Sequence, residues 1–321
     1  MKTPRGYWLA ALLVAIGVCL SACNSTRLST IPDPLVPCYG YPEGSQPKVF
    51  VLYHPYGSYF KRTVPEVMPI PDYKEGCWND ERMIRDLERL SSAGLDGVIC
   101  VVDIKDVEDK EKQERWSRFV KLALLSSSRL QVVFMLDRSG NYSVGQASVF
   151  FRFLFETGTA EEPNYLTLPD VAGSRNKPVV IVGPHLQIGE RRPGISLLRT
   201  SGENPVWCLT PSTNPLEPVA AGHDGRQVII PAAIYDAAAK VWILPQDKGE
   251  TLGNGLKAAL AKHPEYIILS SWNNFEVGDF IEPSTLDGGR TMLRLTRELA
   301  TVKEEFKRRD LQKNAPPPAQ K

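Results

Sequence analysis

Short apolar runs alternate along this chain with longer stretches in which apolar residues recur at helical spacing. The apolar runs are rich in β-branched residues, as buried strands are, and cover residues 49–53, 98–103, 131–136, 179–182, 207–209, 228–232 and 266–269. The helical stretches lie between or after them, at residues 83–90, 106–122, 149–155, 251–263 and 287–309. This order predicts an α/β protein, a single-domain parallel (β/α)8 TIM barrel over residues 48–310.

The N-terminus has the pattern of an export signal. Lys2 and Arg5 precede an apolar segment from Tyr7 to Leu20, and Leu20-Ser21-Ala22-Cys23 has the form of a lipobox. The pattern resembles bacterial lipoprotein signals. We therefore expect a signal peptide of residues 1–22, a lipid anchor on Cys23 and a tether over residues 23–47, with an ordinary secretory signal or a membrane anchor as the alternatives. By resemblance to the sorting rule of such lipoproteins, Asn24 favours the outer membrane of the cell envelope. At the other end of the chain, residues 311–321 are expected to be a disordered tail.

Composition narrows the classes of partner. The chain has 38 basic and 37 acidic residues, so it lacks the basic excess of nucleic-acid-binding proteins. Cys38, Cys77, Cys100 and Cys208 show no metal-binding spacing; Cys100 falls inside an apolar run and is expected to be a buried thiol. No phosphate-binding, zinc-protease, calcium-loop or nucleophile-elbow motif is present, and we predict neither a metal nor a cofactor.

Residues 270–283 carry the chemistry of a sugar site. They follow the last apolar run, and they combine aromatic rings with amides and carboxylates. Rings stack on the apolar face of a pyranose, while amides and carboxylates pair with its hydroxyls. At the C-terminal end of a barrel strand, this cluster would stand where active sites of such barrels are built. A strand end with an aromatic cap and solvated acids is the structural alternative.

This stretch resembles the W-N-E-W-x-E-G-x-x-I-E-P signature of glycoside hydrolase family 99 and the WbsX-like group. The matching residues are Trp272, Asn273, Gly278, Ile281, Glu282 and Pro283, with Phe275 in place of a Trp. Residues 93–98 are similar to the family's A-x-x-G-I-D-G-F segment, and Tyr53 and Tyr56 fit its aromatic first strand end. The resemblance implies a (β/α) barrel in a group that includes endo-α-mannosidases. The family's two catalytic glutamates fall on Asn274 and Val277.

Three functions remain open from the sequence. The first is a divergent glycoside hydrolase, endo-acting on α-linked glycans of an envelope or extracellular polysaccharide, with Glu276 and either Glu282 or Asp103 as its carboxyl pair. The second is an inactive barrel that binds a glycan, and the third is a structural envelope lipoprotein without a sugar ligand. The candidate substrate-binding residues are Tyr53, Tyr56, Trp78, Trp272, Asn273, Asn274, Phe275 and Tyr235. Asp103 has an alternative role in holding the loop that follows its strand.

Overall fold

The computed structural model describes most of the predicted barrel. The residues it describes are 46–55, 79–125, 130–137, 144–169, 176–182, 206–208, 219–221, 227–236, 240–260, 264–274, 279–284, 286 and 288–313. All of them belong to one compact unit, residues 43–321. The predicted signal peptide, the predicted lipid site Cys23 and nearly all of the predicted tether lie outside the described residues.

Fourteen strands and five helices occupy the described part. The strands are β1 (Lys48–Tyr53), β2 (Gly97–Asp103), β3 (Gln131–Asp137), β4 (Thr167–Pro169), β5 (Asn176–Pro178), β6 (Val180–Val182), β7 (Val206–Cys208), β8 (Val219–Ala221), β9 (Gln227–Pro231), β10 (Ile234–Asp236), β11 (Val241–Leu244), β12 (Tyr266–Ser270), β13 (Asn273–Asn274) and β14 (Asp279–Phe280). The helices are α1 (Asp80–Ser92), α2 (Lys110–Leu125), α3 (Val144–Glu156), α4 (Glu250–Leu260) and α5 (Arg290–Lys313). Among these helices, none has both the length and the apolar character that a membrane span requires.

One eight-stranded sheet forms the centre of the molecule. Its strand order is β7-β6-β3-β2-β1-β12-β9-β8, and every neighbouring pair is parallel except β8 with β9. The seven strands predicted from apolar runs are the seven parallel strands. Within the described residues, β7 and β8 are the edges of this sheet, so closure into a full eight-stranded barrel stays a prediction.

Helix α1 shows why the local predictions succeed. The Asn79 side chain accepts a hydrogen bond from the Arg82 backbone N–H at 3.0 Å and so caps the first turn, a contribution of about 1 kcal/mol. Met83, Leu87 and Leu90 bury the apolar side of the helix. Gly94, with φ of +87°, takes the left-handed conformation that ends it.

The helices pack on one face of the sheet. Tyr53 stacks on Phe119 of α2, with ring centroids 5.1 Å apart. The register partner of Tyr53 on β2 is Cys100, and the register partner of Cys100 on β3 is Phe134. The Phe134 ring meets Phe150 of α3 edge to face. Register partners share a face, so these residues define the helix-facing side. Cys100 is a fully buried free thiol, as predicted, and burial raises its pKa well above the usual range.

The alternate residues face the other side, which we call the interior face. Phe50 and Tyr266 meet there with ring centroids 6.0 Å apart. Gly97, opposite Phe50, has no room for a side chain, because a Cβ atom would lie 2.1 Å from the Phe50 ring. Aromatic packing therefore fills the interior at the N-terminal ends of the strands.

Candidate functional site

The interior face becomes polar at the C-terminal ends of the strands. Ile99 and Val133, deep in the sheet, are fully buried apolar residues. Four residues later in each strand, the same face carries Asp103 on β2 and Asp137 on β3, both only partly buried. In a parallel β/α sheet the active site is built at this edge. These carboxylates therefore define the candidate functional site.

Asp103 and Asp137 stand side by side because they are register partners on adjacent strands. Neighbouring strands are about 4.8 Å apart, so the two carboxyl groups start from backbone positions at that spacing. Asp103 also pairs with the Lys105 ammonium at 3.0 Å and accepts from the Lys105 backbone N–H at 3.1 Å. It therefore holds the turn Ile104–Asp106, which is the alternative role left open by the sequence.

His54 joins these carboxylates from the end of β1. It follows Tyr53, so the alternation of the strand directs it to the interior face. Burial lowers the pKa of His54 to about 4, and the negative charge of Asp137 opposes that shift. The imidazole is consequently neutral at pH 7.

Asn273 fixes the backbone of His54 in place. Its Oδ1 accepts from the His54 N–H at 2.7 Å, and its Nδ2 donates to the His54 carbonyl at 2.9 Å. Both bonds join the segment after β12 to the end of β1. Asn273 is buried, so its amide is engaged in positioning His54 rather than presented to solvent.

The backbone of Trp272 joins residues 270–283 to β1. Its N–H donates to the Leu52 carbonyl at 2.7 Å, and its own carbonyl accepts from Ile281 N–H and Glu282 N–H at 3.0 and 2.8 Å. The indole is fully buried. Asn274, the next position but one, is partly buried, and its N–H donates to Ser271 Oγ at 3.1 Å.

Tyr53 and Glu282 belong to a closed ionic cluster on the helix-facing side. Tyr53 Oη donates to Asp86 Oδ2 at 2.8 Å, and Arg82 lies 3.5 Å from Asp86 and 3.6 Å from Glu282. None of these four side chains is more than 3% exposed. We call these four residues the buried ionic cluster.

Burial raises the pKa of Glu282 well above its usual range. The nearby charge of Asp86 acts in the same direction, whereas Arg82 and Arg89 oppose it. The pKa of Asp86 is raised by burial too. The buried ionic cluster joins β1, α1 and the segment after β14, so its side chains hold these three elements together.

Tyr53 and Trp272, two of the candidate substrate-binding residues, lie at the same end of β1, but neither ring is exposed. Strand alternation turns Tyr53 towards the helices, and the Trp272 indole is buried where its backbone pairs with those of Leu52, Ile281 and Glu282. Both rings are fully buried, so a sugar could stack on either one only if the residues around it moved. A catalytic role for Glu282 would need the same, because its carboxyl is enclosed with Arg82.

Tyr235 lies elsewhere on the same edge of the sheet. It is partly buried in the hairpin β10–β11, where its ring meets Trp242 edge to face at 5.2 Å. The hairpin follows the C-terminal end of β9. Tyr56, Trp78, Phe275 and Glu276 lie outside the described residues, so their predicted roles stay predictions.

Sequence reasoning missed Asp137 and the use of His54. The signal was available, since Asp137 ends an apolar run just as Asp103 does. In the part of the chain with described coordinates, no group of three or more His, Cys, Asp and Glu side chains has the geometry to hold a metal ion. Among the described residues, the candidate site presents the carboxylates of Asp103 and Asp137 and the imidazole of His54, whose backbone is held by the Asn273 amide.

The fold is similar to that of glycoside hydrolases. Two structures of the GH99 endo-α-mannosidase from Bacteroides thetaiotaomicron superpose on this chain, one of them in complex with Bis-Tris-propane. The TM-scores are 0.59 and 0.54, with 13% and 14% sequence identity. Both superpositions cover 83% of this chain, and they cover 98% and 99% of the enzyme.

The sequence itself matches no protein-family model and no curated protein. At the low identity of the structural matches, the likeness establishes the fold and leaves the chemistry to the residues present. The chain thus has a TIM-barrel-like, glycosidase-like fold, in agreement with the resemblance of residues 270–283.

Proposed function

We propose that this protein is a glycoside hydrolase that acts on an envelope or extracellular polysaccharide, with endo-cleavage of α-linked glycans as its reaction. The observation that carries the proposal is the adjacent pair Asp103 and Asp137 on the interior face, at the C-terminal edge of a glycosidase-like sheet. The structurally similar enzymes are endo-α-mannosidases. As part of the same proposal, the sheet closes into a (β/α)8 barrel around this edge.

The chemistry follows from what glycoside hydrolysis needs. Two carboxyl groups flank the scissile bond; one protonates the leaving oxygen, and the other attacks the sugar or activates water. Asp103 is assigned the charged role, because its ion pair with Lys105 favours the carboxylate. Asp137 is assigned the exchange of the proton. His54 is neutral and within electrostatic reach of Asp137, and it is assigned the role of hydrogen-bonding to that carboxyl group during the reaction.

The test is release of reducing ends from a panel of α-linked oligosaccharides and bacterial polysaccharides. We expect Asp137→Asn to reduce turnover by about 10²–10⁴-fold, the scale of general acid–base catalysis, with binding retained. Asp103→Asn should reduce it similarly. Glu276→Gln, proposed from the sequence, belongs in the same assay, and a loss only in that variant would assign the acid to the signature segment instead.

Asp106→Asn is the matched control. Asp106 lies three residues after Asp103 and forms an ion pair with Lys112 at the start of α2. Its loss should leave turnover unchanged. Equal activity in wild type, Asp103→Asn and Asp137→Asn would overturn the assignment of this pair.

The second candidate function is glycan binding without cleavage. Asn274 and Val277 occupy the positions of the two catalytic glutamates in the resembling family, and this substitution favours it. Binding of a glycan with no product release from wild type would support this second function. Activity that appears only in the Asn274→Glu, Val277→Glu double variant would show a retained sugar site without its acid and base. If no glycan binds, a structural envelope role remains.

The proposed location is the cell envelope, where a lipid on Cys23 anchors the protein to a membrane. The support is the sequence Leu20-Ser21-Ala22-Cys23 after an apolar segment. Cys23→Ser should abolish lipidation and change membrane fractionation. Unchanged fractionation, with an unchanged N-terminal peptide mass, would contradict the anchor.

A further inference from the structure

A cavity lies between the two segments that follow β9 and β12. Its volume is about 550 Å³, and it is lined by Trp242, Gln246, Asp247, Lys248, Leu286 and Arg290, among others. Trp242 and Lys248 precede α4, and Leu286 and Arg290 lie at the start of α5. Both segments begin at the C-terminal ends of neighbouring parallel strands, since β9 pairs with β12. The cavity is thus on the edge of the sheet that carries the candidate functional site.

The walls of this cavity are joined to each other. The Gln246 side-chain amide donates to the Phe280 carbonyl, which ties the loop after β11 to β14. Gly249 packs against α5 so closely that a Cβ atom would lie 2.8 Å from Arg294 Cβ. Thr251 Oγ1 donates to the Pro245 carbonyl at 2.6 Å. A cavity held in this way is formed before a ligand arrives, as binding sites usually are.

The backbone under the cavity is strained. Asp247, Lys248 and Gly249 follow one another with φ of +42°, +53° and +85°. Only the last of these is a glycine, and side-chain-bearing residues rarely adopt positive φ. Such strain persists where the surrounding structure enforces it, and it is concentrated at ligand-binding sites. Here it places the Lys248 side chain on the cavity wall.

Two cations line this cavity without a carboxylate to pair with in the described structure. Lys248 and Arg290 form no ion pair with another described residue, whereas the adjacent Arg294 lies 3.9 Å from Glu250 and 3.2 Å from Glu298. Among the described lining residues, Asp247 is the one acidic residue. These described residues therefore carry one more positive than negative charge.

Trp242 provides the apolar surface. Its indole is partly buried, and Tyr235 meets it edge to face at 5.2 Å, which fixes its orientation. An indole face suits the apolar face of a sugar ring. A guanidinium and an ammonium beside it suit an anionic group, because both form charge-assisted hydrogen bonds with carboxylates.

From these observations we infer that the cavity is a binding subsite for an acidic saccharide, a sugar ring that carries a carboxylate. The ring lies against Trp242, and the carboxylate pairs with Lys248 and Arg290. This inference rests on the proposed function, because it takes the ligand to be a glycan and assigns an acidic sugar to it. It adds that the substrate is a uronic-acid-containing polysaccharide.

The test compares tetragalacturonate with its carboxyl-reduced form by isothermal titration calorimetry. Wild type should bind the acidic oligosaccharide at least about tenfold more tightly, the scale of one charge-assisted hydrogen bond. Lys248→Asn and Arg290→Gln should each reduce that preference about tenfold. Asn is chosen at position 248 because it tolerates positive φ, so the variant removes the charge without adding strain.

Lys257→Asn is the control, since Lys257 is exposed on α4 and does not line the cavity. It should leave both affinities unchanged. Trp242→Leu should weaken both oligosaccharides about equally. Equal affinity of wild type for the two oligosaccharides, or unchanged preference in both cation variants, would overturn the inference. Inorganic phosphate that displaces tetragalacturonate while Trp242→Leu has no effect would overturn the saccharide part of it.

The two proposals fail in distinguishable ways. Cleavage that depends on Asp137 but shows no preference for the acidic oligosaccharide would contradict the subsite and leave the hydrolase intact. Tetragalacturonate binding that depends on Lys248, with no cleavage of any glycan, would support the subsite and contradict the hydrolase.

Discussion

Tyr53 and His54 are neighbours in the chain, yet they lie in opposite environments. Tyr53 faces the helices and is enclosed with Asp86, Arg82 and Glu282, each of which has an oppositely charged or hydrogen-bonding partner. His54 faces the interior, where Asp103 and Asp137 remain partly accessible. Polar groups that are buried and paired hold elements together, whereas accessible carboxylates at a strand end are available for chemistry. The predictions below test this division.

The largest expected effect is on the buried ionic cluster. Arg82→Ala should lower the free energy of unfolding by about 3–5 kcal/mol, because it removes the buried cation that lies 3.5 Å from Asp86 and 3.6 Å from Glu282. Urea unfolding followed by tryptophan fluorescence measures this loss. Arg85→Ala is the control on the same helix: its side chain is 37% exposed, and its pair with Glu81 is worth about 0–1 kcal/mol. Similar small losses in both variants would contradict the division.

The next comparison uses the two neighbours themselves. Tyr53→Phe removes the hydrogen bond to Asp86 but keeps the stacking on Phe119, and should cost about 1.5–3 kcal/mol of unfolding free energy. Its glycan turnover should equal that of wild type. His54→Gln should do the reverse, with turnover reduced and stability little changed. Urea titration measures the stability of both variants, and reducing-end release measures their turnover. Loss of activity in Tyr53→Phe would contradict the division between the two sides of β1.

Glu282 gives a smaller effect that depends on pH. Its pKa is raised in the folded state, so between the unfolded and folded pKa values the native protein binds the extra proton. Stability therefore falls as pH rises through that window, by at most about 1.4 kcal/mol per pH unit. Glu282→Gln keeps the neutral form at every pH and should show a flatter stability profile above the ordinary pKa of a glutamate. A profile parallel to wild type would indicate an ordinary Glu282 pKa.

Much of this fold follows from the sequence. The seven parallel strands of the sheet coincide with the seven apolar runs, because strands buried between helices and interior must be apolar on both faces. The ends of α1 follow from Asn79 and Gly94, whose roles depend on neighbouring residues alone. Strand β8 and the hairpins β4–β5, β10–β11 and β13–β14 were not predicted. They are two to four residues long, too short for a hydrophobic period to appear.

The site was predicted less well, for a physical reason. A pattern shows which residue ends a strand but not which face it takes, since one position of register moves every side chain to the other side. Tyr53 and Asp103 both end strands, and only the pairing of β1 with β2 shows that they face opposite sides. The burial of Trp272 depends on its hydrogen bond to Leu52, 220 positions earlier in the chain, which no local pattern encodes.

The central claim is that glycans are bound and cleaved at the interior face beside Asp103 and Asp137. A crystal structure of the Asp137→Asn variant with an α-linked tetrasaccharide, chosen from the panel for cleavage by wild type, tests it most directly. We expect a glycosidic oxygen within hydrogen-bonding distance of residue 137, with Asp103 in contact with the same sugar. A tetrasaccharide bound on the helix-facing side, or bound with both positions out of reach, would contradict it.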